Sequence, residues 1–269
     1  MIDIVICVDG TNSKTYKNSS VRNFYHSVQA QEKVFHDGPS EGGGIAGADW
    51  LVIRNQLRSD LDRVARKYGE ESFFNGYQCT IGRNPGFRFI LVGHSRGGHV
   101  VIHLAAMLKY RSHFMGLYDA VERTSTRWDS FSRTIYNVDH VFHARRHPEV
   151  GSRTAQPLAW REALPGWGWG SALATAAGSR LMDFGNTGTS TGDGGAYQER
   201  LFRTSHGGIG GDVLTEAVVG IPLVDDTSCA VTLLQRSAAQ QAKRAGCLVE
   251  SREADEYIRR SARLVGVRI

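Results

Sequence analysis

The pentapeptide GHSRG at residues 93–97 combines residue types and spacing that suit nucleophilic chemistry. It matches G-x-S-x-G, the pattern in which a serine sits on a tight turn between a strand and a helix and attacks a carbonyl carbon. An apolar run at residues 88–92 leads in, and helix-spaced apolar residues follow from 97 to 110. A helix N-terminus favours developing negative charge. We therefore predict that Ser95 is the nucleophile of an acyl-transfer reaction.

A serine hydroxyl needs a base that takes its proton, and His206 is the predicted base. It follows a short strand, opens a glycine-rich loop and lies well C-terminal of Ser95, in the chain order serine, acid, histidine. The histidines next to the serine, His94, His99 and His103, sit too close along the chain to turn back onto its hydroxyl. We expect these three to be packing or surface residues.

The acid that orients the histidine is predicted to be Asp119, because it ends the apolar strand HFMGLY at residues 113–118. A carboxylate at the C-terminal end of a strand lies on the edge where such folds gather their active sites. Asp139 and Asp183 are alternatives. Asp139 lies inside a predicted strand, which favours a structural role, and Asp183 precedes a loop without a companion motif.

Acyl transfer also needs donors for the oxyanion. The backbone N–H of Arg96 is one candidate, and the turn at residues 10–12, with Thr11 at its centre, is predicted to supply the second. Asp9, which opens that turn, fits a turn-forming or helix-capping role equally well.

The elements that must position these residues predict one α/β domain spanning residues 1–269, with a mostly parallel central sheet and helices on both faces. Predicted strands lie at residues 2–8, 33–36, 88–92, 114–118, 137–143 and 200–204. Predicted helices lie at residues 48–68, 97–110 and 227–245, the last ended by Gly246 as a C-cap. Residues 165–195 are rich in Gly, Trp, Ser and Thr and indicate a long irregular segment or lid. Trp160, Trp167 and Trp169 are candidates for an acyl-binding or interfacial lid, with core and rim packing as the alternative.

The composition bounds the partners and the location. A net charge of +5 over 269 residues is only a weak indication of anionic partners, and the arginine-rich C-terminal segment fits a solvated helical face, so we predict no nucleic-acid binding. The four cysteines lack metal-binding spacing, and no cofactor or metal is predicted. The N-terminal strand is unlike a signal peptide. The sequence thus predicts a chain that is cytoplasmic as made, with signal-independent export left open.

Taken together in chain order, these motifs resemble a known family. The segments DGT at residues 9–11, GHSRG, LYDAV at 117–121 and the histidine loop ending in Gly210 and Gly211 are similar to those of the type VI secretion lipase-effector-like serine hydrolases, as is the helix at 230–246. The resemblance implies an α/β-hydrolase core with the triad Ser95, Asp119 and His206. It also implies esterase, lipase or phospholipase activity, transient contact with a membrane surface, and a secretion-machinery or immunity partner. This chain has His94 where the family usually has an aromatic residue.

The sequence therefore predicts a serine hydrolase that cleaves carboxylic esters through an acyl-enzyme. The alternative is a catalytically silent hydrolase fold that serves as a binding or assembly module. The serine, acid and histidine in the expected order favour the enzyme.

Overall fold

The computed structural model of the chain describes residues 1–10, 19–38, 48–74, 86–121, 134–147, 187–204, 206–211 and 238–269. The strands are β1 (Ile2–Val8), β2 (Glu32–His36), β3 (Phe87–His94), β4 (Ser112–Tyr118), β5 (Thr134–Ile135), β6 (Val138–Arg146), β7 (Ser190–Thr191) and β8 (Ala196–Phe202). The helices are α1 (Ser20–Ser27), α2 (Ala48–Lys67), α3 (Arg96–Met107), the single turn α4 (His206–Ile209) and α5 (Ala238–Leu264).

The central sheet has six strands in the order β2-β1-β3-β4-β6-β8, and every neighbouring pair is parallel. Its middle strands are near-continuous apolar runs because both of their faces are covered, as in IDIVICV of β1. A separate parallel pair joins β5 to β7. The predicted α/β fold with a mostly parallel sheet is confirmed.

Alternate side chains of each strand enter two different cores, one on each face of the sheet. Ile4 and Ile6 pack with α2 and α3, whereas Val5 and Cys7 pack with α1 and α5. The strand order explains this division, because β2 lies on one side of β1, whereas β3 and β4 lie on the other side. Right-handed crossovers then require α1 on one face and α2 and α3 on the other.

This reversal in the strand order lies at the C-terminal ends of β1 and β3. Ligands of open α/β sheets bind where neighbouring strands lead away in opposite directions. Asp9 and Gly10 follow β1 at this point, and Ser95 follows β3. The topology thus brings the predicted nucleophile and the predicted oxyanion turn to the same place.

The predicted C-cap at Gly246 is wrong, because α5 continues through this residue to Leu264. A glycine costs a helix interior about 1 kcal/mol. Downstream of it, Ala254, Ile258 and Ala262 recur every four residues and are fully buried in the core. This packing outweighs the local cost. The first part of the predicted helix, residues 227–237, lies outside the described residues.

Strand boundaries also extend beyond the predictions. β6 continues past His143 to Arg146, and β8 begins at residue 196 rather than 200. Of the predicted irregular segment 165–195, only residues 187–195 are described, and they include β7. The rest of that segment, with Trp167, Trp169 and Asp183, lies outside the described residues, as does Trp160. Among the described helices, none is long and apolar enough to cross a membrane.

Candidate active site

Ser95 occupies the turn between β3 and α3 with φ of 56° and ψ of −128°. A positive φ is strained for a residue that carries a Cβ, so the surrounding structure must hold it. The Ser95 N–H donates to the Tyr118 carbonyl at 3.0 Å, and the Ser95 carbonyl accepts from the N–H of Val121 at 3.1 Å. The end of β4 therefore fixes the serine turn from both sides.

The glycines of GHSRG are required by close approach of neighbouring backbone. A Cβ at Gly97 would lie 2.3 Å from the carbonyl oxygens of Val8 and Asp9, and one at Gly93 would lie 2.6 Å from the Gly97 carbonyl oxygen. These contacts are too short for any side chain. The turn can pack between β1 and β4 only because both positions lack a side chain.

The structure brings Ser95, His206 and Asp119 into one continuous hydrogen-bonded chain. His206 Nε2 lies 2.8 Å from Ser95 Oγ, and His206 Nδ1 lies 2.7 Å from Asp119 Oδ2. All three residues are buried. Since Nδ1 faces a carboxylate and so carries the proton, Nε2 is left to accept the serine proton. This arrangement can perform general-base activation of the hydroxyl.

Asp119 is held at the end of β4 by both its backbone and its side chain. Its φ is 42°, and its N–H donates to the Ala144 carbonyl at 2.7 Å. Arg146 approaches the carboxylate, with Nε 3.2 Å from Oδ2. Burial opposes ionisation, but the Arg146 charge and the hydrogen bond from His206 outweigh it and hold the pKa of the Asp119 carboxyl below its usual range.

His143 on β6 supports the turn that carries Asp119. Its Nε2 accepts from the Ala120 N–H at 3.0 Å, which leaves Nδ1 to donate to the Gly188 carbonyl at 3.2 Å. Burial, followed by the charge of Arg145, lowers the pKa of His143 to about 4. The ring is therefore neutral at physiological pH and serves as a fixed hydrogen-bonding bridge.

His94 packs against the predicted base, its ring centroid 5.0 Å from that of His206. Its Nε2 lies 3.3 Å from the His206 carbonyl oxygen, to which it can donate. Burial lowers the pKa of His94 to about 3, so this ring is neutral as well. A Cβ at Gly10 or at Gly210 would lie within 2.5 Å of the His94 ring, so both glycines are needed to admit it.

The structure describes part of the predicted oxyanion site. Arg96 is the first residue of α3, directly after the serine, where helix amides lack intrahelical acceptors. A Cβ at Gly10 would lie 3.2 Å from Ser95 Cβ, so the turn after β1 does adjoin the nucleophile. The Gly10 N–H itself donates to Asp9 Oδ1 at 2.8 Å. Thr11 lies outside the described residues.

The alternative acid Asp139 and the histidines of α3 have other described partners. Asp139 lies near the start of β6 and accepts from Arg111 Nε at 2.7 Å. Asp119 contacts Arg146, which lies at the other end of β6. At the usual strand rise, Arg146 is about 23 Å from Asp139. His99 and His103 lie on α3 with ring centroids 4.5 Å apart. Asp183 lies outside the described residues.

Arg146 and His143 are functional candidates that the sequence did not reveal. Both lie on β6 and reach Asp119 or its turn across the β4–β6 strand pair, in which Tyr118 is aligned with Ala144. The sequence signal was the run RRH at residues 145–147, after the predicted strand. This run does not indicate which of its side chains faces Asp119. Within the described chain, no cluster of three or more His, Cys, Asp or Glu residues could hold a metal ion.

Comparison of the chain with protein-family models, curated proteins and solved structures gives no match. The resemblance to type VI secretion lipase effectors therefore stays a prediction, and the geometry around Ser95 carries the functional argument.

Proposed function

We propose that the chain is a serine hydrolase that cleaves carboxylic esters through an acyl-enzyme. The observation that carries this proposal is the unbroken path from Ser95 Oγ to His206 Nε2 at 2.8 Å and from His206 Nδ1 to Asp119 Oδ2 at 2.7 Å. Both distances lie within the range that proton transfer requires. A strained serine at the head of this path is typical of a nucleophile held ready for attack.

The proposed reaction proceeds in two halves. His206 takes the proton from Ser95 Oγ as the oxygen attacks the ester carbonyl carbon, and the Arg96 N–H stabilises the resulting oxyanion. His206 then gives this proton to the leaving alkoxide, which departs as an alcohol. In the second half, water attacks the acyl-enzyme with the same proton transfers through His206. The carboxylic acid is released, and the Ser95 hydroxyl is restored.

The fold assignment within the α/β class is part of this proposal. An α/β-hydrolase places its nucleophile on a sharp turn from strand to helix and orders its triad as serine, acid and histidine along the chain. Here the turn joins β3 to α3, the acid follows β4, and the histidine follows β8. The resemblance adds lipid and phospholipid esters as substrates to test. It also adds contact with a membrane surface and binding to a secretion-machinery or immunity partner as further proposals.

Labelling with a fluorophosphonate probe tests the proposal, because the probe reacts only with an activated serine. We expect the native chain to be labelled and Ser95→Ala to lose labelling while keeping its circular dichroism spectrum. Ser190→Ala, at an exposed serine of β7, is the matched control and should label like the wild type. An intact native fold without labelling would overturn the proposal and favour a non-catalytic binding module.

The substrate class is then measured with nitrophenyl esters of increasing acyl length, followed by phospholipid vesicles. Turnover of short esters alone identifies an esterase. A rise in rate with chain length, or at the vesicle surface, identifies a lipase or phospholipase.

A further inference from the structure

Arg146 lies between the strand that carries the acid and the strand that leads to the base. It is the last residue of β6, which pairs with β4 on one side and with β8 on the other, where Arg146 is aligned with Phe202. His206 lies four residues after Phe202 in the chain. The position of Arg146 is therefore set by the same sheet that positions Asp119 and His206.

Arg146 holds Asp119 through both its side chain and its backbone. Its Nε lies 3.2 Å from Asp119 Oδ2, and its N–H donates to Oδ1 at 3.4 Å. Oδ2 is also the oxygen that accepts from His206 Nδ1. The carboxylate is thus shared between a permanent cation and the imidazole, at side-chain exposures of 13% for Arg146 and 6% for Asp119, where solvent screens charges weakly.

The groups that face this pair differ in whether they carry charge. His143 from β6 and His94 from β3 are kept neutral by burial. Asp9, at the end of β1, lies behind His94 with Oδ1 3.9 Å from His94 Nδ1, and burial raises its pKa. Arg146 is therefore the permanent positive charge placed directly on the acid.

We infer that Arg146 is a positioning residue that extends the working range of the triad toward lower pH. This inference rests on the proposed hydrolase function. The guanidinium keeps the buried carboxylate ionised and aimed at His206 Nδ1. Without it, the buried Asp119 carboxylate would take up a proton at a higher pH, and His206 would there lose the acceptor that aims it at Ser95.

The test compares variants that separate charge from shape. Arg146→Met removes the positive charge. Arg146→Gln removes the charge but keeps a hydrogen-bond donor next to Asp119. Arg146→Lys keeps the charge. The matched control is Arg200→Met, because this arginine of β8 pairs with Glu253 at 3.1 Å and the two side chains are 54% and 49% exposed. The rate of fluorophosphonate labelling is measured from pH 4 to 9 for each.

We expect the midpoint of the acid limb to move up by about one pH unit in Arg146→Met and Arg146→Gln. Arg146→Lys and Arg200→Met should keep the wild-type midpoint. A role confined to structure would lower the rate at every pH without moving the midpoint, and that result would overturn the inference. Arg146→Gln provides the same test if Arg146→Met does not fold.

A second readout separates this inference from the proposed function. Proton NMR follows the signal of the His206 Nδ1 proton, which lies against Asp119 Oδ2, across the same pH range in the resting protein and needs no reaction. If the wild type is not labelled, the hydrolase proposal fails, and the NMR titration of Arg146→Gln against wild type still decides the effect of Arg146. Coincident NMR titrations would overturn it.

Discussion

Two arginine–carboxylate pairs of similar burial lie at opposite edges of the central sheet. At the N-terminal edge, Arg88 binds both oxygens of Asp3, each at 2.7 Å. At the C-terminal edge, Arg146 shares Asp119 with His206, which in turn reaches Ser95. The first carboxylate is fully engaged by its arginine and ties strands together. The second has one partner that can move a proton, and this difference distinguishes a candidate active site from a structural ion pair.

The backbone shows the same contrast. Ser95 and Asp119 both adopt positive φ at the C-terminal edge, and the hydrogen bonds that hold them connect the serine turn to the acid turn. At the other edge Asn137 has φ of 63°, and its side chain donates to the carbonyls of Ala105 and Leu108 at the end of α3. Strain at this edge accompanies a helix cap, whereas strain at the C-terminal edge lies at two residues of the proposed triad.

The largest expected effect comes from exchanging the carboxylates for amides at the two edges. Asp119→Asn should lower kcat by about 10⁴-fold, because the amide can donate to Nδ1 and select the wrong imidazole tautomer. Asp139→Asn, at the carboxylate bound by Arg111, should keep kcat and lose only stability. Ester turnover and urea unfolding of both variants provide the comparison, and near-normal turnover in Asp119→Asn would remove Asp119 from the triad.

Much of this arrangement is predictable because it is local. The apolar runs on either side of GHSRG predict the turn from strand to helix, and the end of the β4 run predicts where Asp119 emerges. His206 is predicted by chain order and its glycine-rich loop. These features depend on neighbours in sequence, so a single chain is enough to reveal them.

The supporting residues are not predictable for the opposite reason. Arg146 and His143 act on Asp119 only through the pairing of β4 with β6, and the predicted strand stopped at residue 143, so the facing of Arg145 and Arg146 could not be assigned. Gly246 shows the same limit. Its local preference predicts a helix end, but burial of residues farther along α5 against the sheet decides the outcome.

The structural pair should show the reverse profile to the triad acid. Arg88→Met leaves the buried carboxylate of Asp3 without its bidentate partner but with the more exposed Arg268, whose Nη2 lies 3.6 Å from Oδ2. Removal of one member of a buried ion pair costs about 3 kcal/mol. We expect the free energy of unfolding in urea to fall by that amount while the labelling rate of Ser95 at 25 °C is unchanged. A large fall in labelling of the folded variant would show that the two edges are coupled.

A smaller effect is expected at the strained residue of the N-terminal edge. Asn137→Ala removes the side-chain donor to the Leu108 carbonyl and one of the two donors to the Ala105 carbonyl, which still accepts from the Leu108 N–H, and it leaves a β-carbon at positive φ. Buried acceptors left without donors cost about 2 kcal/mol. Thermal unfolding should register this loss, and ester turnover at 25 °C should not. If Asn137→Ala is as stable as the wild type, the side chain does not act as the cap of α3.

The smallest expected effect is the pH dependence of stability contributed by Asp119. The folded pKa of this carboxyl lies below its usual value, so its ionised form stabilises the fold fully above the unfolded-state pKa of about 3.9, and this contribution is lost as pH falls toward the folded value. By pH 3 the loss should reach about 1 kcal/mol relative to neutral pH. Asp119→Asn has no such group, so the gap in unfolding free energy between it and wild type should narrow between pH 6 and pH 3. A gap that widens with acid would mean that burial, rather than Arg146 and His206, dominates the ionisation of Asp119.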